Sequence, residues 1–250
     1  MKFLSAFALA FHATTAHAHF GMVIPSDTMV APDEGREITL DLSFDHPFEQ
    51  LGLGLLSRPV LRLHADGEVR DLSEDLVSVE HLGKPAWQAQ VGLGRPGTYV
   101  FEMTPEPYWE PAEDAFIQHL TKAYVAVFDD DTGWDAELGL EAEIVPLTKP
   151  FGLWQGNVFQ GIVKRGGEVE PFAEVEVEYL NTSGITAPSE LMITQTIKAD
   201  ENGVFTYAAP GPGWWGFAAL GEADHTLDHE GVAKPVELGA VIWVHFEAWR

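Results

Sequence analysis

Apolar and polar residues alternate with a period of two along most of this chain. In Glu37-Ile38-Thr39-Leu40-Asp41-Leu42-Ser43-Phe44 every second side chain is apolar, and shorter alternations recur at Val60 to Leu63, Val77 to Val79, Trp87 to Val91 and Thr98 to Phe101. Successive side chains of a strand point to opposite faces, so this is the pattern of half-buried β-strands. Turn residues separate the runs: Asp33-Glu34-Gly35, Ala65-Asp66-Gly67, Gly83-Lys84-Pro85 and Gly94-Arg95-Pro96-Gly97. Short strands at this spacing predict an antiparallel β-sandwich. No long amphipathic helix is visible, and a single helical turn is expected near Pro111-Ala112-Glu113-Asp114.

A second set of strands begins after Pro146-Leu147-Thr148-Lys149-Pro150, where two prolines mark a linker. It contains Asn157 to Val163, the alternating Ala173 to Tyr179, and Val204 to Tyr207 after the turn Asp200-Glu201-Asn202-Gly203. Gly213 to Leu220 and Gly239 to Val244 read as buried final strands. The expected fold is all-β, with two antiparallel β-sandwich domains, the second immunoglobulin-like or transthyretin-like. The expected division is a signal peptide at 1–18, a metal-binding β domain at 19–148 and a C-terminal β-sandwich at 149–250.

The N-terminus changes the picture. Lys2, an apolar stretch to Phe11 and Ala16-His17-Ala18 form a secretory leader, and cleavage after Ala18 exposes His19. An N-terminal histidine offers an α-amine and an imidazole, which close a six-membered chelate ring on a transition metal. The amine titrates near pH 7.7–8.0, so it yields its proton to a metal far more easily than a lysine does. The expected location is the periplasm, as a protein without membrane insertion.

Charge and composition narrow the partners. Thirty-nine acidic residues against 14 basic ones give a net charge of −25, which excludes a nucleic-acid partner for want of a basic footprint. Cysteine is absent, so any metal must be held by nitrogen and oxygen donors, a set that suits Ni(II), Co(II), Cu(II) or Zn(II). No nucleophile elbow, Walker loop or His-Glu-x-x-His helix is present.

Strand phase sorts the histidines. His46 follows Ile38, Leu40, Leu42 and Phe44 at intervals of two and so faces inward at a strand end. His119 shares phase with Ile117, Thr121, Ala123, Val125 and Val127. Both are candidate ligands beside His19, and Glu49, three residues beyond His46, is a candidate oxygen donor. His64 and His81 border turns and are expected in solvent, and His245 is expected to pack in the second domain. His225 and His229 sit in an acidic stretch and are expected on a loop or one helix face. Tyr108-Trp109 is either packing or a lid over the site.

Five segments together resemble one family. They are His19-Phe20-Gly21-Met22, Asp45-His46-Pro47-Phe48-Glu49, Phe116 to Lys122, Gly213 to Leu220 and Glu237 to Val244. In this order they resemble the bacterial periplasmic component associated with nickel/cobalt uptake, a family catalogued as a domain of unknown function. The resemblance implies a soluble β-rich protein, not an enzyme, that binds Ni2+ or Co2+ and passes it to a membrane transporter component. His19, His46 and His119 carry over as ligands, with Glu49 beside them. The rivals are a copper-dependent oxidative polysaccharide-cleaving enzyme, a copper-carrying periplasmic protein (both with an N-terminal histidine site) and a metal-free adhesive or carbohydrate-binding module.

Overall fold

The computed structural model describes residues 19–249; the leader expected at 1–18 lies outside them. In chain order the first strands are β1 (Phe20–Pro25), β2 (Met29–Val30), β3 (Glu37–His46), β4 (Leu51–Gly52), β5 (Val60–Ala65), β6 (Glu68–Asp71) and β7 (Val77–His81). Then come β8 (Lys84–Gly92), β9 (Gly97–Thr104), β10 (Tyr108–Glu110), β11 (Ala115–Val127), β12 (Ala142–Pro146), β13 (Leu153–Trp154) and β14 (Val158–Arg165). The remainder are β15 (Glu168–Val169), β16 (Glu174–Tyr179), β17 (Gln195–Lys198), β18 (Val204–Ala208), β19 (Gly213–Ala219), β20 (Glu222–His229) and β21 (Val232–Glu247). The fold is all-β: the helical residues described are two single 3-10 turns, Ser73–Asp75 and Glu190–Met192.

Three sheets make two packed layers around one shared sheet. A small sheet runs β1-β3-β8-β7, a second contains β12-β14-β15 with β18 on β14, and the large sheet runs β17-β16-β19-β21-β11-β9-β5-β6. The small sheet closes a core with β5, β9 and β11, built from Val23, Leu40, Leu42, Leu61, Leu63, Phe101, Met103, Ala123 and Val125. The other face of the large sheet packs a second core from Phe159, Phe205, Phe217, Ile242 and Val244. The two halves are thus joined through β11 and β21, which pair in parallel from Phe116↔Val236 to Ala123↔Trp243.

The link Pro146–Pro150 follows β12, and β12 already pairs with β14 of the second half. The chain therefore crosses between layers ahead of the boundary expected at 148/149. An apolar run such as Ala142 to Pro146 fits either core, so sequence alone does not say which.

The alternation in β11 decides what each face sees. Ala123, Val125 and Val127 enter the first core, while Leu120, Tyr124 and Ala126 enter the second. His119 has the phase of the first group and faces β1. At β1, Phe20 and Met22 cover Ala218, Val241 and Trp243 in a third apolar cluster.

Candidate metal centre

The site begins with the β1–β3 register. Phe20 lies opposite Asp45 and Gly21 opposite Phe44, so the next step back sets His19 opposite His46. Residues directly opposed on antiparallel strands have neighbouring side chains, and the two imidazole centroids are 4.8 Å apart. His46 is buried, as the phase of β3 requires. Phe44 stands behind the pair, its ring 5.9 Å from that of His19 and 5.7 Å from that of His119.

His119 is held by glycines. A Cβ on Gly21 would meet Thr121 Oγ1 at 2.5 Å and His119 Cβ at 3.0 Å, and one on Gly239 would meet His119 Cδ2 at 2.5 Å. Two absent side chains thus make the slot for this fully buried ring. β1 is the edge of its sheet, so half of its backbone groups turn away from β3 and need other partners. At Gly21 both are satisfied across the sandwich: its N–H donates to His119 Nδ1 at 3.2 Å, and its carbonyl accepts from Trp243 Nε1 at 2.9 Å.

That hydrogen bond sets a tautomer. An Nδ1 that accepts carries no proton, so the neutral His119 ring bears its proton on Nε2. Nε2 faces Glu237 Oε1 at 3.5 Å. As placed, His119 presents a donor to Glu237 while its other nitrogen is occupied by Gly21.

Neither of the carboxylates against His19 is among the sequence candidates. Glu110 Oε2 lies 3.4 Å from His19 Nε2, and Glu113 Oε1 lies 3.9 Å from Nδ1. Both belong to the hairpin of β10 and β11, which pairs Tyr108↔Ile117, Trp109↔Phe116 and Glu110↔Ala115. Residues 111–114 form its turn, where a helical turn was expected. Tyr108 packs on Phe44 at 5.4 Å, so the hairpin does roof the histidines.

Burial, followed by the charges of His46 and His119, lowers the pKa of His19 to about 4, against the pull of Glu110 and Glu237. His19 is therefore neutral at pH 7. The carboxylates nearby move the other way. Burial and the charges of Glu237 and Glu110 raise Glu113. Burial and the charges of Glu237, Glu113 and Glu174 raise Glu176 to about 7, and its Oε2 is buried without a hydrogen bond. A neutral His19 imidazole beside carboxylates that crowd one another makes a surrounding that favours a positive charge.

Glu49 is elsewhere. It is exposed in the turn after β3, close enough to Glu178 to raise the pKa of that carboxyl. Glu178 itself anchors the turn by accepting from Phe48 N–H at 2.9 Å.

The remaining histidines have other surroundings. His64, expected in solvent, is half-buried with Nε2 3.2 Å from the buried Glu102. His81 faces Asp45 at 3.4 Å. His245 packs edge-on against Trp214 in the second half. His225 and His229 lie on strand β20 rather than on a loop or helix, because their segment pairs with β21. Glu141, Asp224 and His225 bring donor atoms within 4.8 Å of one another, all on exposed side chains. His229 stacks on Trp109 with centroids 3.7 Å apart.

Comparison with known proteins completes the description. A family model described as a domain of unknown function, DUF4198, matches residues 16–223, and the chain belongs to that family. No curated protein matches it. Among solved structures, the adhesin InvE of Yersinia pseudotuberculosis is 13% identical over 88% of this chain and 58% of its own, with a TM-score of 0.25. A Ca2+-stabilized adhesin with which an Antarctic bacterium binds ice is 15% identical over 94% of this chain and 50% of its own, with a TM-score of 0.24. The chain thus spans only half to three-fifths of these two. A pair of titin immunoglobulin domains is 9% identical over 93% of this chain and 98% of its own, with a TM-score of 0.23. These three likenesses carry no functional argument.

Proposed function

We propose that this is an exported periplasmic protein that binds a divalent transition metal, nickel or cobalt, and delivers it to a membrane transport system. The observation that carries the reading is the meeting of His19 and His46 across the β1–β3 register, with ring centroids 4.8 Å apart. Removal of residues 1–18 would add the α-amine of His19 at that point. Amine and Nδ1 of His19 then form the chelate, and His46 supplies a further nitrogen.

The chemistry of the donors fits such a cargo. A His19 imidazole that stays neutral down to about pH 4 keeps its lone pair available. The remaining donors, the α-amine among them, still have to shed protons to bind, so affinity falls as pH drops below the amine's range of about 7.7–8.0. Nitrogen donors with carboxylates near by suit Ni(II), Co(II) and Zn(II), and Cu(II) binds such sets more tightly still. His119 joins the ion through Nε2 only by giving up its hydrogen bond to Gly21, so metal-induced loss of that contact is what a third histidine ligand requires. Glu49, exposed in the turn after β3 and acting on the charge of Glu178, is the weakest of the sequence candidates.

Binding is favoured over polysaccharide oxidation because the site is roofed. The His19 side chain is 11% exposed, and a polymer would have to displace the Tyr108–Glu113 hairpin to reach a metal there. Copper-loaded protein with a reductant should release no oxidised oligosaccharides.

The test is calorimetry with Ni(II) and Co(II) on protein that starts at His19. One extra residue ahead of His19 should weaken binding at least tenfold, about 1.4 kcal/mol. Equal affinity of the two forms sinks the chelate.

A further inference from the structure

Building on the metal reading above, we propose that the turn between β10 and β11 serves His19 with two carboxylates in different roles. Glu110 accepts from Nε2–H and holds His19 with its Nδ1 lone pair free, and Glu113 is the oxygen donor to the cation at Nδ1.

The assignment follows from the chelate. An α-amine and an imidazole of the same residue close a six-membered ring only through Nδ1, so the proton of the neutral imidazole must sit on Nε2. Glu110 Oε2 is the carboxylate oxygen on that side, at 3.4 Å. A carboxylate that receives the second ring N–H is the usual outer partner of a ligating histidine, fixing both tautomer and ring orientation. The other oxygen of Glu110 is committed to the turn: Oε1 accepts from Ala112 N–H at 2.8 Å. Glu110 is thereby aimed.

Glu113 occupies the opposite side of the ring. Its Oε1 is 3.9 Å from Nδ1, too long for a hydrogen bond. A metal of this class binds imidazole nitrogen at about 2.0–2.1 Å and carboxylate oxygen at about 2.0–2.2 Å. The gap is no wider than two such bonds end to end, so an ion fits between the atoms with a small movement of Glu113. Glu113 is half exposed and has the freedom to make it.

The turn is pinned at both ends by the hairpin of β20 and β21. Trp109, next to Glu110, stacks on His229 and meets Phe116 edge-on. Asp114, next to Glu113, takes Lys234 Nζ on both carboxylate oxygens at 2.6 Å. The segment that carries both carboxylates is thus a fixed support rather than a free loop.

The experiment uses Co(II), whose visible absorption reports its donor set, titrated into protein that starts at His19. Glu113→Gln should lower affinity at least tenfold and change the Co(II) bands. Glu110→Ala should lower affinity by roughly 10- to 100-fold with the bands unmoved, because it removes no ligand. Glu110→Gln, which keeps an acceptor oxygen, should recover most of that loss. Circular dichroism confirms that each variant is folded. Wild-type affinity and bands in both Glu113→Gln and Glu110→Ala overturn the proposal, as does a band change in Glu110→Ala without one in Glu113→Gln. If the wild-type protein binds neither Co(II) nor Ni(II), the metal reading itself fails, and the two failures are told apart by that control.

Discussion

Two polar clusters sit on opposite faces of β11, three residues apart, and they are built on opposite terms. Lys122 points into the second core, where Nζ meets Glu143 Oε1 at 2.7 Å with both side chains about 1% exposed. Glu143 also accepts from the backbone N–H groups of Leu138, Gly139 and Leu140. Against burial, Lys122 and these amides hold its carboxyl below the usual range. On the other face, His119, His19 and their carboxylates converge with no lysine or arginine among the charges acting on His19, Glu113 or Glu176. The first cluster is closed: every charge has its counter-charge inside the protein. The second has no such partner among these groups, and that is the charge the proposed metal would supply. Burial alone does not separate a structural charge from a functional one, and an internal counter-charge is what marks the first cluster as closed.

The comparison is broken most severely at Lys122. Lys122→Ala leaves Glu143 buried and unpaired, and thermal or denaturant unfolding should show a loss of about 3–5 kcal/mol. Next comes Glu178, a buried carboxyl with no cation paired to it among the described residues, which burial raises to about 8. The folded state keeps its proton where the unfolded chain releases it. The stabilisation is therefore full below about pH 4.5 and is lost as pH rises through about 8. A stability profile should decline by at most about 5 kcal/mol over that window, and Glu178→Gln should flatten the decline. Gly21→Ala forces a methyl against Thr121 and His119 and should destabilise by about 1–3 kcal/mol. A one-residue extension ahead of His19 should leave stability untouched and lower metal affinity about tenfold. Smallest of all, His64→Ala should change metal affinity less than twofold, since His64 faces Glu102. A tenfold loss there would place the site elsewhere.

Much of the fold could be read from the chain. Period-two alternation located β3, β5, β8 and β9, and the phase of β3 and β11 turned His46 and His119 inward. The short acidic run around His225 and His229 reads as a loop or one helix face, whereas pairing with β21 draws it into a strand. Glu110 and Glu113 carry no local mark, because nothing in the sequence separates them from 37 other acids. The one hint is local: Tyr108-Trp109, just ahead of Glu113, reads as packing or as a lid over the site.

The sequence by itself determined the strands, the inward phase of His46 and His119 and the all-β class, because alternation and turn chemistry act over a few residues and need no partner. Only the tertiary structure decided that β11 and β21 join the halves, that Gly21 and Gly239 make room for one imidazole, and that Glu110 and Glu113 meet His19. Those contacts depend on cross-strand register and sheet packing between segments about 90 to 120 positions apart, and no local pattern encodes the distance between them.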